Sequence, residues 1–414
     1  MTGEGRTRLW AGIGIVLLGT SLAAPAGATA GYFALGYSAA ERGMAGAGIA
    51  YGLDAMSATT NPANVAGMGK EFSLGLQLFS PTRGYTGTGT VFVPPGKVES
   101  GHNLFPVPNF AYNLPLANGN VLNFAAYGNG GMNTSYPTGL AGCGSVFCAG
   151  PAGVDLMQLF LSVTYAGRTG NLSWGIAPTI AVQSFEATGL AAFAGQSVSP
   201  GNLSDNGHEI STGVGLRAGL SYEINPQLSL GATVQSRMKM SAFSRYSGLF
   251  ADGGRFDIPA MAGVGVAFHP DPTMTVAVDV ERIFYSDVGA VGNSPTAGPL
   301  GAPGGAGFGW KDVTVAKLGV EWKASPQMTW RAGYAHSTNP VQPSGAMLNI
   351  LAPGIVTDHF SFGGTRRLSD SDSFDFAIEY VPEHTLTGPE MTPGSSVELF
   401  MHQVAFSVGW TRRF

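Results

Sequence analysis

The strongest constraint on the fold is a period of two in side-chain type along residues 400–414. Large apolar side chains such as Val404, Phe406 and Trp410 would lie on one face, and small or polar ones such as Ser407 and Gly409 on the other. This alternation predicts a β-strand whose two faces meet different environments. The segment closes on Phe414, and a terminal aromatic strand resembles the signal by which barrel-assembly machinery inserts outer-membrane barrels.

The same alternation recurs in several other segments, which are residues 215–222, 228–235, 275–284 and 374–380. Most of their charges fall on the less apolar face, with Arg282 as the exception. Only 11% of the chain is charged, against about 25% in soluble proteins, and glycine is abundant at 62 residues. A soluble sandwich would charge its outer face heavily, so the weakly charged face is better explained as the lining of a lumen.

The pattern predicts about fourteen strands, near residues 71–86, 102–114, 121–130, 155–167, 171–187, 208–223, 227–245, 257–269, 273–287, 311–323, 327–337, 357–368, 373–384 and 397–414. Short turns such as Asn225-Pro226 alternate with long loops near 87–101, 131–154, 188–207, 246–256, 288–310, 338–356 and 385–396. This asymmetry is typical of bacterial barrels. We therefore predict an all-β protein, a transmembrane antiparallel β-barrel over residues 70–414.

Residues 1–30 resemble a cleavable signal peptide. Arg6 and Arg8 precede an apolar stretch, and Ala28-Thr29-Ala30 is a small-residue cleavage box that would leave Gly31 at the mature N-terminus. An N-terminal membrane anchor is the weaker alternative because the apolar run is short. Export would lead to the outer membrane, where lipid and lipopolysaccharide surround the barrel. The net charge of -5 shows no basic patch, which argues against nucleic acid as a partner.

Residues 31–69 do not follow the strand pattern. They are rich in glycine and alanine, and could lie in the periplasm, lie in the lumen or be disordered. Their small residues and the turn Asn61-Pro62-Ala63 favour a compact plug inside the barrel.

The two cysteines, Cys143 and Cys148, lie close together in a glycine-rich loop. In an oxidising compartment they are expected to form a structural disulfide. A metal site is the weaker alternative, because no histidine or second cysteine pair is nearby, and the seven histidines show no metal-ligand spacing.

Several stretches, taken in order, resemble the FadL/TodX family of outer-membrane transporters for long-chain fatty acids and hydrocarbons. Residues 42–48 followed by Asn61-Pro62-Ala63 look like that family's hatch, although Asn64 stands where the family often has glycine. Farther along, the matching stretches are 258–266, 278–281, 310–321 and 330–341. The resemblance runs from the hatch to the C-terminus.

This resemblance implies a fourteen-stranded barrel with a hatch, ligand capture between two external loops, and lateral release at a kinked third strand. The capture residues would be Leu190, Phe193, Leu249 and Phe250, although these side chains could instead pack on one another. The kink would lie at Gly128, Gly130 and Gly131, where glycine permits a bend; an ordinary loop start is an equal alternative.

Charges of both signs are predicted to face the lumen. Arg237, Arg331, Asp279 and Glu281 are among them, and most are expected to brace the barrel against the plug. Arg331 and Arg237 are candidates for meeting a substrate carboxylate. No grouping of serine and histidine indicates a nucleophile with its base, and the glycines at 43, 46 and 48 lack nucleotide-loop spacing, so an enzyme is disfavoured.

The sequence thus favours a monomeric, diffusion-driven transporter of hydrophobic small molecules that uses no cofactor. A structural or adhesive barrel is the second possibility. A general porin is third, because residues 31–69 argue against an open lumen.

Overall fold

The computed structural model describes residues 29–414, and the predicted signal sequence falls outside them except for Thr29 and Ala30. Fourteen antiparallel strands form the wall, and the last pairs with the first to close a barrel. They are β1 Glu71–Thr88, β2 Phe105–Pro115, β3 Val121–Tyr136, β4 Ala152–Thr169, β5 Leu172–Thr188, β6 Glu209–Asn225, β7 Leu228–Gln235, β8 Met261–Asp271, β9 Met274–Ile283, β10 Val313–Ser325, β11 Met328–Ser337, β12 Asp358–Arg367, β13 Asp372–Pro389 and β14 Ser396–Arg413.

The predicted all-β barrel and its strand count are confirmed, and two strand ends were wrong. The third strand does not stop at residue 130 but continues to Tyr136, paired with β4 throughout. The seventh does not reach residue 245: it ends at Gln235, because the Ser236 side chain accepts the hydrogen bond of Leu216 N–H at 3.0 Å. Only a two-residue strand, Lys239–Met240, resumes pairing with β6.

The loops at one end of the barrel are long and partly ordered. They contain one further short strand, Gly96–Glu99, and several short helical turns. The helical turns are Val146–Cys148, Ala191–Gln196, Pro200–Asn202, Ser244–Tyr246, Ala251–Gly254, Tyr285–Asp287, Gly289–Gly292, Pro343–Gly345 and Leu348–Ile350. The loops at the other end are tight turns. This division matches the external and periplasmic ends of a bacterial barrel.

The two faces of the wall differ as the alternation predicts. In β9, Val278 and Val280 point outward and are exposed, whereas Asp279 and Glu281 point inward and are buried. Exposed apolar side chains recur around the outer wall, as at Ile180 in β5, and would contact lipid. Among the described residues, no helix has both the length and the apolar character needed to cross a bilayer.

Residues 29–69, the N-terminal segment, lie within the barrel. The segment contains paired strands of two residues each at Thr29–Ala30 and Phe33–Ala34, a helical turn at Ala39–Arg42, and 3₁₀ turns at Ala55–Thr59 and Pro62–Val65. Ser38 and Glu41 form a reciprocal cap on the helical turn and satisfy backbone N–H groups at its start.

The N-terminal segment contacts glycines on the inner face of the wall. Asn61 and Pro62 lie against Gly219 of β6 and Gly175 of β5, where a Cβ atom on either glycine would overlap them. The same is true of Ile49 against β7 and β8, and of Met44 against β10 and β11, the glycines concerned being Gly231, Gly265, Gly319 and Gly333. The high glycine content therefore has a specific cause: bare backbone permits close approach.

Asn61 attaches the N-terminal segment to the wall. Its side-chain oxygen accepts the Ala63 N–H at 3.0 Å and caps the second 3₁₀ turn, while its amide donates to Ile49 O at 2.7 Å and to Leu220 O of β6 at 3.1 Å. The predicted turn Asn61-Pro62-Ala63 is thus also a point of attachment to the wall.

We expect Gly219→Ala to displace the N-terminal segment while the barrel still forms, because the new methyl group would overlap the Asn61 side chain. Hydrogen exchange of residues 55–66 should rise at least about tenfold, corresponding to about 1.4 kcal/mol of lost local stability. Gly195→Ala is the matched control, since nothing lies within 4 Å of its added Cβ. Unchanged exchange in Gly219→Ala would contradict this account of the contact.

Candidate binding site and lateral opening

An apolar groove opens on the external end of the barrel. Its volume is about 300 Å³, and the loops after β5, β9, β11 and β13 line it, with Phe193, Leu300, Met347, Leu348 and Met391 among the lining residues. Met391 is largely exposed. Flexible methionines suit a surface that receives apolar molecules of varied shape.

Beneath the groove lies a smaller apolar cavity that the four predicted capture residues line together. Leu190 and Phe193 come from one loop, and Leu249 and Phe250 from the next. The cavity shares Phe193, Leu300 and Leu348 with the groove above it. Its volume of about 30 Å³ is far below the roughly 300–1,000 Å³ of typical small-molecule sites, so the loops must separate before an organic molecule can enter.

The alternative that the predicted capture residues pack against other side chains is present in the structure. Leu190, Phe193 and Phe250 are buried, and Phe250 packs on Phe185 of β5 with ring centroids 4.7 Å apart. Phe193 packs edge-on against Phe147, 5.1 Å away. Both loops fold onto the barrel mouth, so their apolar side chains contact one another and the neighbouring loops. The predicted capture residues therefore pack against other side chains and also line the apolar cavity.

A third cavity lies deeper, between the wall and the N-terminal segment. It has a volume of about 40 Å³, and Gly31, Phe105, Leu156, Trp310 and Met401 are among its lining residues. Two short stretches connect this lumenal pocket to the cavity above, because Phe308 and Leu351 line the upper one while Trp310 and Ala352 line the lower. The three cavities follow one another inward from the external surface.

The wall beside the lumenal pocket has a break between β2 and β3. These strands pair only from Asn109–Tyr127 down to the turn, so residues 105–108 of β2 pair with β1 alone. Above the break, Gly101 N–H donates to Ser135 O at 2.8 Å and closes the wall again. The break is therefore a bounded window in the side of the barrel.

The three predicted glycines form the edge of this window. They lie within β3 and not at its end, and the pairing with β4 shifts register between Gly128 and Gly130, so Asn129 is an extra residue. This is a β-bulge, which bends the strand. The alternative that these glycines start an ordinary loop was wrong.

The N-terminal segment occupies the inner side of the window. Phe33 pairs with Gly130, where any Cβ atom would overlap the Tyr32 carbonyl. The hydroxyl of Tyr285, from the loop after β9, accepts Tyr32 N–H at 3.1 Å and donates to Ala30 O at 2.7 Å. A predicted signal cleavage after Ala30 would remove the latter bond. No sequence pattern marks Tyr285, because a tyrosine in a loop has no period that would predict its position.

Inward-facing charges hold the N-terminal segment, as expected for Asp279 and Glu281. Asp279 accepts two backbone hydrogen bonds, from Gly48 N–H at 2.7 Å and Ile49 N–H at 3.0 Å. Glu281 accepts from Lys317 Nζ at 2.9 Å, and the same ammonium donates to Leu35 O at 3.0 Å. These bonds compensate for the burial of charge and fix the segment against β9 and β10.

The two arginines proposed to meet a substrate carboxylate are both occupied by acidic partners. Arg331 is buried, with Nε 2.8 Å from Glu321 Oε2 and Nη1 3.7 Å from Asp375 Oδ1. Arg237 is not lumenal: it follows the end of β7 in an external loop, is 40% exposed, and pairs with Asp257 at 2.8 Å. Strand periodicity could not place Arg237 because the strand ends two residues earlier, at Gln235.

A disulfide and the hydrogen bonds of one carboxylate stabilise the external loops. A disulfide joins Cys143 and Cys148, whose Cα atoms are 5.2 Å apart. Glu390 at the groove connects two loops by accepting Phe92 N–H and Thr392 N–H, both at 2.6 Å. Burial alone would raise the pKa of Glu390, but these hydrogen bonds outweigh it and lower the pKa to about 2.

Residues 20–407 match the model of the family described as outer membrane protein transport protein (OMPP1/FadL/TodX). The chain belongs to this family. Similar solved structures include the Pseudomonas putida toluene transporter TodX, with 19% identity and a TM-score of 0.69 over 92% of this chain and 99% of that one. A Pseudomonas aeruginosa FadL homologue has 16% identity and a TM-score of 0.69 over 92% of this chain and 100% of that one. The Ralstonia pickettii toluene transporter TbuX has 20% identity and a TM-score of 0.65 over 92% of this chain and 99% of that one. No curated protein matches the chain.

Membership of the FadL/TodX family establishes an outer-membrane transport protein and not an enzyme. The solved structures are too distant in sequence to show more than a shared fold.

We expect Gly130→Ala to separate Phe33 from β3, because the methyl group would overlap Tyr32 O. Single-channel conductance in planar bilayers should then exceed that of the unchanged protein, as the N-terminal segment no longer seals the window. Gly101→Ala, at the upper border of the window, is the control, since its Cβ would lie 3.7 Å from the nearest atom. Equal conductance in all three proteins would refute the sealing role.

Arg331→Met and Arg237→Met should differ in their effect on stability. Loss of Arg331 leaves two buried carboxylates without their cation, at a cost of about 3–5 kcal/mol. Loss of Arg237 removes the cation of one buried carboxylate, Asp257, but Arg237 itself is 40% exposed and water can replace it, so the cost should be smaller, about 1–2 kcal/mol. Urea unfolding in detergent or lipid vesicles measures both, and equal losses would show that burial does not decide their roles.

Proposed function

We propose that this protein carries hydrophobic small molecules, either long-chain fatty acids or hydrocarbons, passively across the outer membrane. A molecule binds in the external groove, passes through the apolar cavity to the lumenal pocket, and leaves sideways through the window between β2 and β3. The process needs no cofactor, because the ligand moves down its own gradient.

The observation that carries this proposal is the order of the cavities. Groove and apolar cavity share lining residues, and the apolar cavity and lumenal pocket are lined by adjacent residues of the same two stretches. The lumenal pocket also includes Phe105 and Gly131, which border the window on either side. A route of this kind would let an apolar molecule avoid both the lipopolysaccharide layer and the aqueous periplasm.

The structure corresponds to the closed state of such a route. The two inner cavities are about 30 and 40 Å³, and residues 29–33 lie across the window. Ligand binding can open the route only if the ligand binds the open form more tightly than the closed form. We infer that the N-terminal segment is the hatch that moves, while the fourteen strands stay in place.

The other two functions receive less support. A structural or adhesive barrel would use its loops to bind a partner, but it has no use for an internal series of apolar cavities. A general porin requires an open polar lumen, whereas residues 29–69 are held there by Asp279, Lys317 and the inward glycines.

The test is uptake of a labelled long-chain fatty acid and a labelled aromatic hydrocarbon by cells with and without the protein. Phe193→Asp and Phe250→Asp place a carboxylate in the apolar cavity, where desolvation costs several kcal/mol, so uptake should fall about tenfold or more. Val198→Asp is the matched control: it lies in the same loop as Phe193, is exposed, and lines none of the three cavities.

Heat-modifiable migration in electrophoresis would establish that every variant is present as folded barrel. Uptake that rises with the protein and falls only in the two cavity variants supports transport and identifies the ligand class. If neither compound enters faster with folded protein present, the proposal fails and the structural or adhesive barrel replaces it.

A further inference from the structure

Two glutamines lie directly opposite each other on the inner face of the wall, next to the cavities of the proposed route. Gln158 of β4 pairs with Gln183 of β5 in the strand ladder, and both side chains are buried. The next inward pair toward the external end is Leu156 with Phe185, which line the lumenal pocket and the apolar cavity respectively. The apolar lining of the route is therefore followed by a pair of neutral amide groups.

The amide groups of these glutamines carry hydrogen-bonding atoms without partners. In the part of the chain that the structure describes, neither Nε2 nor Oε1 of Gln183 has a partner, and Nε2 of Gln158 also lacks one. The hydroxyl of Tyr32, from the N-terminal segment, is a fourth such atom. The Tyr32 carbonyl lies against Gly130 of β3, and Gly130 pairs with Gln158, so Tyr32 and Gln158 are neighbours of the same glycine.

A short hydrogen-bond chain at the edge of the window orients Gln158. Asn129, the extra residue of the β3 bulge, donates from Nδ2 to Gln158 Oε1 at 3.1 Å, and the Tyr37 hydroxyl donates to Asn129 Oδ1 at 3.1 Å. Because its oxygen already accepts a bond, Gln158 presents its N–H groups as donors. Bulges often re-aim a side chain beside a functional site, and here the extra residue is the one that holds Gln158.

Burying an amide without a partner is unfavourable, because the group gives up its hydrogen bonds to water. Apolar side chains of similar size would fill the same positions at lower cost, so the two amides are best explained by a polar group that reaches them along the route. Gln183 offers both a donor and an acceptor, and Gln158 offers a donor. A hydroxyl group accepts and donates, so it can satisfy both residues, whereas a hydrocarbon can satisfy neither.

We propose that Gln158 and Gln183 bind the hydroxyl group of a hydrophobic alcohol, so that this protein binds hydroxylated hydrophobic molecules more tightly than the corresponding hydrocarbons. This inference rests on the proposed transport function and deepens it by naming a substrate class. The apolar part of the ligand would lie against Leu156 and Phe185 once the loops separate and the cavities widen.

The test compares 8-bromo-1-octanol, 1-bromo-8-methoxyoctane and 1-bromooctane, using purified full-length protein in detergent. Bromine quenches nearby tryptophan, and Trp310 lines the lumenal pocket, whereas Trp174, Trp322, Trp330 and Trp410 lie in strands toward the short-turn end. Quenching that disappears in Trp310→Phe reports binding in this pocket. Each ligand is compared between variants of the protein, so its partition into detergent cancels.

Gln183→Met keeps the length of the side chain and removes both hydrogen-bonding atoms. We expect it to weaken binding of the alcohol about tenfold, as two lost hydrogen bonds imply, and to leave binding of 1-bromooctane within about twofold. The ether accepts but cannot donate, so it should lose less than the alcohol. Because Gln183 makes no side-chain hydrogen bond within the described chain, the variant should unfold at the same urea concentration as the unchanged protein or at a higher one.

Thr164→Val is the matched control. Thr164 lies on the inner face of β4, is buried, and has a hydroxyl that likewise lacks a partner among residues 29–414, but it is three inward positions farther from the cavities than Gln158. It should change the binding of none of the three compounds. Gln158→Met removes one donor and should weaken the alcohol by a smaller factor, and it decides the question if Gln183→Met does not fold.

Weaker binding of the alcohol in the glutamine variants, with the hydrocarbon and the control unchanged, supports the inference. An equal change for alcohol and hydrocarbon, or no change for either, overturns it, because the two amides then bind water only or have a structural role; hydrophobic transport is not affected by that result. If none of the three compounds quenches Trp310 in the unchanged protein, the lumenal pocket is not a ligand site and the proposed function fails with the inference.

Discussion

The structure depends on close backbone contact between the N-terminal segment and glycines on the inner wall. A barrel of this size encloses more space than its inward side chains can fill, so another part of the chain must occupy it. Gly175 and Gly219 admit the Asn61-Pro62 turn, and Gly319 and Gly333 admit Met44. Without these glycines the segment would have to lie farther from the wall, and its backbone groups would lose Asp279 and Lys317 as partners.

Apolar and polar contacts together hold the N-terminal segment. Side chains such as Tyr32, Phe33 and Ile49 are buried, and charge-assisted hydrogen bonds from Asp279 and Lys317 on the wall add directional attachment. Such bonds depend on geometry, and a set of them can be broken together when the segment shifts. Among the described residues, the N-terminal segment pairs with β3 only through Phe33 and Gly130, whereas the wall strands are joined by long ladders.

The wall was predictable from sequence because each strand residue meets one of only two environments. Asp279 and Glu281 could be assigned to the lumen simply because they alternate with valines that face lipid. The rule failed where the strand ladder stops. Arg237 follows the end of β7, and Ser236 replaces the ladder there. It also could not foresee that Phe193 and Phe250 are buried, because apolar loop residues have no period, nor that Tyr285 and Trp310 reach the lumen.

Arg83 of β1 shows a second limit of prediction from sequence. Periodicity places it on the inner face like the other lumenal charges, but only the fold shows that the acids lie elsewhere. Asp279, Glu281, Glu321, Asp375 and Glu379 all bond to the N-terminal segment or to a cation that braces it. The acidic side chains of the lumen are therefore concentrated where the N-terminal segment is held, whereas Arg83, beside the break in the wall, has only neutral hydrogen-bond partners in the described part of the chain.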